Sequence, residues 1–499
     1  MTFDKNEPKE PAKPATHDTV PPPALLEFMV KDWKPASGKP TPRLKGAEAF
    51  AARRRALSKL FPGEALVVPT GHEKVRANDT NYRFRPGSDF YYLTGNVEPD
   101  CVLVMEPQEG GGHKDVLFVE PNPGHSDSTF FTDRNKGELW VGPRLGVPQS
   151  KDRFAVDECR GLADLKLTLD ALKASGKHRA VRGMSERVDS VLPARKEGAK
   201  GENDLDKALA AALSEMRLLK DAQEVKELSA AIASTQRGFE DVIRSLREHA
   251  VKSERVVEGV FNLRARVEGN DVGYGTIAAS GPHACILHWT RNDGEVKPGQ
   301  LLLLDAGVER DTLYTADITR TLPVNGRFSK EQREIYQLVH DAQAAAFHAV
   351  KPGNDFMEPN RRAMQVLAEG LERLGILKSA AEALKDEHQF YKRYSLHNVS
   401  HMLGLDVHDC AQARMEAYKY GKLQPGMVLT VEPGLYFQMD DLTVPARYRG
   451  IGVRIEDDVL VTVKGMRNLS AAIPSEADDV EAWMASQWKK PTSASKKKR

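Results

Sequence analysis

Leu301-Leu302-Leu303-Leu304-Asp305 opens the stretch on which the reading of this chain turns, and Gly452-Val453-Arg454-Ile455-Glu456-Asp457-Asp458 closes it. Between them lie five residues able to hold metal: Asp305, Asp317, His401, Glu432 and Glu456. The four leucines read as a buried strand, and a carboxylate at its end is costly to bury without a cation or a set of donors. Asp317 sits between Tyr314-Thr315-Ala316 and Ile318-Thr319, a second strand-like run. The short connection allows an antiparallel pair that brings both carboxylates to one point. Glu432 lies in Val428-Leu429-Thr430-Val431-Glu432-Pro433-Gly434, a strand stopped by Pro and Gly. In the closing segment, alternation puts Arg454 and Glu456 on one face. Any one of these acids alone reads as well as a strand-end or turn residue; the set of five does not.

Carboxylates with a single imidazole make a hard, oxygen-rich site. It suits a pair of divalent ions of the manganese, magnesium or cobalt type better than structural zinc, for which thiolates are expected. Two such ions about 3.5–4 Å apart can share bridging carboxylates and bind a nucleophilic water between them. A ligand on that water can also take its proton and pass it to a departing nitrogen, a second role open to Glu432.

Several segments carry a wider resemblance: Cys285-Ile286-Leu287-His288-Trp289, Asp305-Ala306-Gly307, Asp317-Ile318-Thr319-Arg320-Thr321, the run from Ser400 to His408, Glu432-Pro433-Gly434-Leu435-Tyr436, and 450–458. Through them the chain resembles the metal-dependent aminopeptidase P and prolidase family, whose catalytic domain has the pita-bread fold. The resemblance runs from about Arg43 to about Ser470. It implies that Asp305, Asp317, His401, Glu432 and Glu456 are the metal ligands and that manganese is the expected ion, with cobalt or zinc able to replace it. It also implies that His288 and His408 contact the substrate carbonyl, and that His397 closes over a proline in the second position. Arg454 then orients a ligand carboxylate such as Asp305, and Tyr274 stands near the metals, although Tyr274 reads almost equally well as a core aromatic.

The activity implied is removal of an amino-terminal residue preceding proline, by attack of a metal-bridging hydroxide. A prolidase restricted to Xaa-Pro dipeptides is the alternative. A methionine aminopeptidase fits less well, since that family usually lacks so long an amino-terminal domain. A binding module that has lost catalysis normally loses ligands, and all five are present here.

The 499 residues suggest two domains. Hydrophobic content of 40% against 29% charged residues fits a soluble globular protein, and a net charge of +1 gives no electrostatic reason to expect nucleic acid or membrane as a partner. Cys101, Cys159, Cys285 and Cys410 show no paired or metal-type spacing, which fits thiols in a reducing cytoplasm. The first residues have neither a basic start nor an apolar core, so no secretory signal is expected.

Residues 1–42, rich in Pro and Lys, read as a mobile arm. Residues 43–216 read as an α/β domain with a helix from Gly46, strands at Ala65–Pro69, Phe90–Leu93, Cys101–Met105 and Val116–Val119, and later helices. The resemblance extends here through Asp79-Thr80-Asn81-Tyr82, 85–95 and Glu138-Leu139-Trp140-Val141-Gly142. It implies a homodimer or homotetramer in which Asp79 and Trp140 wall a neighbouring subunit's site; Trp140 reads otherwise as a core aromatic and Asp79 as a turn residue. The catalytic domain is expected over 217–480, with Asp221 and Glu224 forming a capping box at its first helix. Pairs of helices followed by strands recur before and after residue 350, consistent with two related halves. Residues 481–499 read as a polar, basic tail.

Overall fold

A computed structural model describes residues 21–34, 40–78, 80–197, 203–247 and 252–489. It divides into two compact units, Met1–Ala210 and Ala211–Arg499.

In the first unit a five-stranded sheet runs in the order Glu158–Gly161, His113–Val119, Val102–Pro107, Ala65–Pro69, His178–Ala180. The three central strands pair antiparallel and the two outer ones join in parallel. Val67, Val102, Val104, Val116 and Phe118 alternate toward one face, where Leu165 and Leu169 of the helix Leu165–Ser175 cover them. Arg54 is buried on the helix Ala47–Leu60. Its guanidinium is answered by Asp115 at 2.6 Å and by the carbonyls of Leu93 and Ala155 at 2.8 and 2.7 Å.

Three expectations change. Phe90–Leu93 is not a strand but the middle of a helix, Ser88–Thr94. All four side chains are buried, so the run carries no period that separates helix from strand. What decides it is Gly95, left-handed at φ 68°, whose N–H donates to the Tyr91 carbonyl and ends the helix. Within the arm, Pro23–Met29 is helical with no buried residue, and Trp33 stacks on His125 at 4.3 Å between ring centroids. Residues 1–20 and 35–39 of that arm lie outside the described residues. The supposed tail begins as the helix Ala477–Gln487, whose Val480, Trp483 and Met484 are buried. Trp488 follows, its indole N–H donating to the Ile243 carbonyl at 2.6 Å. Apolar residues at helical spacing outweigh the charges around them; 490–499 lie outside the described residues.

The second unit holds two helix pairs, Ala222–Arg247 with Glu254–Glu268 and Lys330–Ala349 with Glu358–Arg373. Asp221 Oδ1 accepts from the N–H groups of Gln223 and Glu224, and the Asp221 N–H donates in turn to the Glu224 carboxylate, the expected capping box. Ser329 and Gln332 build a second one at Lys330. Against the first pair lies the sheet Ile277–Ser280, Leu301–Ala306, Ile318–Pro323; the second half contributes Val428–Val431, Asp457–Thr462 and Gly465–Asn468. The short pair Gly434–Tyr436 and Gly452–Arg454 completes the floor of the site. One continuous core, from Leu218 and Ala231 through Phe261, Tyr336 and Phe437 to Met484, holds this unit together. No described helix is long and apolar enough to cross a membrane.

Candidate metal centre

Strand pairing sets the first two carboxylates side by side. Leu301–Ala306 pairs antiparallel with Ile318–Pro323 so that Ala306 faces Ile318, and Asp317 lies one step beyond. The Tyr274 hydroxyl sits 2.7 Å from Asp305 Oδ1 and 2.5 Å from Asp317 Oδ1. Burial and these two acids raise its phenol well above the ordinary value. Arg454 donates to Asp305 Oδ2 at 2.6 Å, to Thr319 Oγ1 at 3.2 Å and to the Tyr436 hydroxyl at 3.0 Å. Thr319 in turn donates to Glu456 Oε2 at 2.7 Å. The strand expected through Gly452–Asp458 is broken: Gly452–Arg454 and Asp457–Thr462 belong to different sheets, with Ile455 and Glu456 at the break. Arg454 and Glu456 meet through Thr319 rather than through alternation.

Ligand atoms of Asp317, His401 and Glu456 all lie within 4.8 Å of one another. His401 Nε2 stands 3.2 Å from Asp317 Oδ2 and 3.6 Å from Glu432 Oε1. Its Nδ1 is 3.1 Å from the Met402 carbonyl, a bond that turns Nε2 toward the acids. Burial pulls His401 down, but Asp317 and Glu432 raise it to about 9. Burial pushes Glu432 up to about 7 against the pull of His401 and Arg454. Burial, followed by the neighbouring acids Asp317, Glu432 and Asp305, lifts Glu456 well above the usual carboxylate range. Asp305 is raised by burial although Arg454 opposes it. The acids therefore need more positive charge than Arg454 and His401 provide. A hard divalent cation would supply it, and the donor set, carboxylate oxygens with one imidazole and no thiolate, fits such an ion.

The remaining histidines ring this cluster. His397 is 21% exposed in its side chain; Nδ1 bonds the Asn398 carbonyl at 2.9 Å and Nε2 the Tyr436 hydroxyl at 2.7 Å. Burial, with Arg454 nearby, lowers it to about 4, so the ring is neutral. The His408 ring lies 4.4 Å from that of His401, edge to face, and is exposed. His288, expected at a strand end, occupies an exposed turn after the short helix Gly281–Cys285, close enough to act electrostatically on both His397 and His408. That turn is clamped from below by Glu254. Its carboxylate accepts from the N–H groups of Ser280 and Gly294 at 2.7 Å each and from Trp289 Nε1 at 2.8 Å, with His283 Nδ1 at 2.9 Å.

Sequence reasoning assigned no role to Tyr436, Thr319, Glu254 or Asp409. For Tyr436 a signal existed, since it sits four residues after Glu432 in the strand Gly434–Tyr436. Glu254 and Asp409 are recognised only by the distant groups they bind. Asp79 lies outside the described residues. Trp140 is 49% exposed, not core; its indole donates to the Phe131 carbonyl at 2.7 Å and Arg134 stacks on its ring at 4.8 Å.

Comparison with known proteins agrees with this geometry. The model of metallopeptidase family M24 matches residues 226–463, and that of the aminopeptidase P N-terminal domain matches residues 50–181. The chain is 49% identical over 462 residues to Xaa-Pro aminopeptidase 1 of Streptomyces coelicolor, covering 92% of each protein. It is 34% identical to the Xaa-Pro aminopeptidase of Escherichia coli, over 88% of this chain and 97% of that one. Its fold is similar to aminopeptidase P from E. coli with the inhibitor Pro-Leu, with a TM-score of 0.78 at 32% identity over 89% of this chain and 99% of that one. The chain belongs to metallopeptidase family M24, among its Xaa-Pro aminopeptidases. Its second unit accordingly has the pita-bread fold, and divalent metal binding goes with the family.

Proposed function

We propose that this protein is a metal-dependent aminopeptidase that hydrolyses the bond between an amino-terminal residue and a following proline. The observation that carries this reading is the convergence of Asp305, Asp317, His401, Glu432 and Glu456 on one point, with His288, His397 and His408 around it. Those five residues would hold two divalent ions, manganese first; a zinc-substituted E. coli aminopeptidase P is among the similar structures, and cobalt suits the same donors. When bound, such ions polarise the scissile carbonyl and lower the pKa of water enough for attack at neutral pH.

The chain's own groups supply the rest. Tyr274 and Arg454 fix Asp305 from two sides, so its carboxylate keeps one orientation. Glu432 takes the proton from the attacking water and delivers it to the imide nitrogen, a poor leaving group until protonated. His288 and His408 donate to the oxygen on which negative charge develops. His397, with both ring nitrogens engaged, offers a neutral, fixed face to the proline ring. Replacing His397 with alanine is therefore expected to reduce the preference for proline over alanine in the second position by roughly tenfold or more. Metal content stays unchanged. Parallel kcat/KM values on Xaa-Pro-Yaa and Xaa-Ala-Yaa peptides check this.

The amino-terminal domain, 43–216, serves assembly and access in this reading, leaving the chemistry to residues 217–480 and their helical extension to Gln487. A homodimer or homotetramer places Trp140, exposed and stacked on Arg134, at the entrance of a neighbour's site. The restricted entrance admits short flexible peptides and suits peptide recycling in the cytoplasm. Light scattering at assay concentration tests the assembly. The activity itself is tested by whether peptides longer than two residues are cut at the bond before proline.

A further inference from the structure

The two glutamates of the centre sit where the sheet comes apart. Val428–Val431 pairs with Asp457–Leu460, with Val431 facing Asp457. Pairing resumes in a different sheet with Gly434 facing Arg454. Glu432 and Pro433 on one strand and Ile455 and Glu456 on the other fill the gap, and Pro433 has no N–H to give. One backbone bond crosses the gap, from the Ile455 N–H to the Pro433 carbonyl at 3.3 Å. The Glu432 and Glu456 N–H groups donate elsewhere, to the carbonyls of Val399 at 2.9 Å and Thr319 at 3.1 Å, so the ladder does not pair the two glutamates directly.

One side chain from a distant helix spans the gap. Gln343, on Lys330–Ala349, is fully buried. Its Nε2 donates to the carbonyls of Val431 at 3.1 Å and Ile455 at 3.2 Å, the residues just before each glutamate. Its shortest bond, at 2.9 Å, is to Asp457 Oδ2, so the two amide hydrogens are shared among three acceptors. Asp457 Oδ1 accepts from Arg320 at 2.8 Å, and Arg320 donates to the Glu456 carbonyl at 2.6 Å, so the backbone is held on both sides of Glu456. The amide cannot be turned over, because Oε1 would then face three acceptors. In the orientation present, Gln343 Oε1 is buried with no hydrogen-bond partner among the described residues. That is an unfavourable arrangement for a residue that only fills space, and it fits one placed for its donors.

We propose that Gln343 is a positioning residue of the metal centre: by bonding Val431 and Ile455 together it sets the separation at which Glu432 and Glu456 present their carboxylates. This rests on the reading of those glutamates as metal ligands. Met at position 343 keeps the length and loses the donors; Asn keeps the amide and loses the reach.

The test is manganese titration of the full chain by calorimetry, with melting curves, for wild type, Gln343→Met, Gln343→Asn, Glu456→Gln and Val339→Ala. Val339 is buried on the same helix and serves as a control for lost stability without lost positioning. Expected is a drop in manganese affinity of about 10- to 100-fold in both Gln343 variants, the range usual for an outer partner of a ligand. Val339→Ala should melt earlier and bind as wild type does. Wild-type affinity in either folded Gln343 variant, or an equal loss in Val339→Ala, would overturn the proposal, as would failure of both Gln343 variants to fold. Wild type and Glu456→Gln binding alike would instead remove the ligand reading beneath it.

Discussion

A chelator-stripped sample is expected to lose all turnover, and added divalent manganese to restore it. Asp317→Asn should mimic the stripped state permanently. Asp317 is engaged on every side: Tyr274 on one oxygen, His401 on the other, and the Asp458 carboxylate on its N–H at 3.2 Å. In the proposed centre neutralising it removes a ligand, so the expected loss in kcat/KM exceeds the roughly 100-fold upper range of an outer-partner change. The fold should survive, because the core that holds this unit runs through Phe239, Phe261, Tyr336 and Phe437 and not through the acids. Metal content and kcat/KM measured on the same samples decide the matter. Activity in a verified metal-free preparation would contradict the assignment.

The second large effect is expected in stability. Asp409 is 1% exposed and binds Arg217 at 3.1 Å and Lys220 at 3.2 Å, the lysine side chain being wholly buried. Gly404 allows this approach: a Cβ there would lie 2.1 Å from Asp409 Oδ2. Asp409→Ala leaves two buried cations without their acid, which typically costs about 3–5 kcal/mol. Asp409→Ala keeps the backbone N–H bond to the Met402 carbonyl that closes the turn between His401 and His408, but it removes the Asp409 Oδ1 acceptor of the Cys410 N–H at 2.9 Å.

The pH dependence has a definite sign. Burial raises Asp409, but Lys220 and Arg217 outweigh it and hold the acid below its ordinary value. A depressed folded pKa stabilises above the unfolded value of about 3.9 and loses that contribution as pH falls through the folded one. The gap in urea midpoint between wild type and Asp409→Asn should therefore be full at neutral pH and shrink in acid below about pH 4. A gap that stays constant with pH would contradict the ion-pair account.

The four acids and the histidine that the fold brings together stand out in the sequence because each sits in a short apolar or glycine-flanked segment, where an unpaired charge is expensive. The capping boxes at Asp221 and Ser329 rest on residues three apart, and Asp221's was readable for that reason. Phe90–Leu93 was not readable, because a short run buried on all sides shows neither period. Nor was the break at Ile455–Glu456, where Thr319 and Gln343 hold the glutamates from far along the chain. The helix ending at Gln487 hid its buried Trp483 and Met484 among charged neighbours. Partners such as Glu254, Gln343 and Asp409 have no local signature: their roles consist of contacts between segments that only the fold brings together.

The most direct measurement compares Xaa-Pro, Xaa-Pro-Yaa and Xaa-Ala-Yaa peptides with one enzyme preparation, chelator-stripped and then loaded with manganese. The predicted result is release of the first residue from Xaa-Pro-Yaa by the loaded enzyme alone, with far slower release from Xaa-Ala-Yaa. Cleavage confined to the Xaa-Pro dipeptide, or equal rates on the alanine peptide, would contradict it.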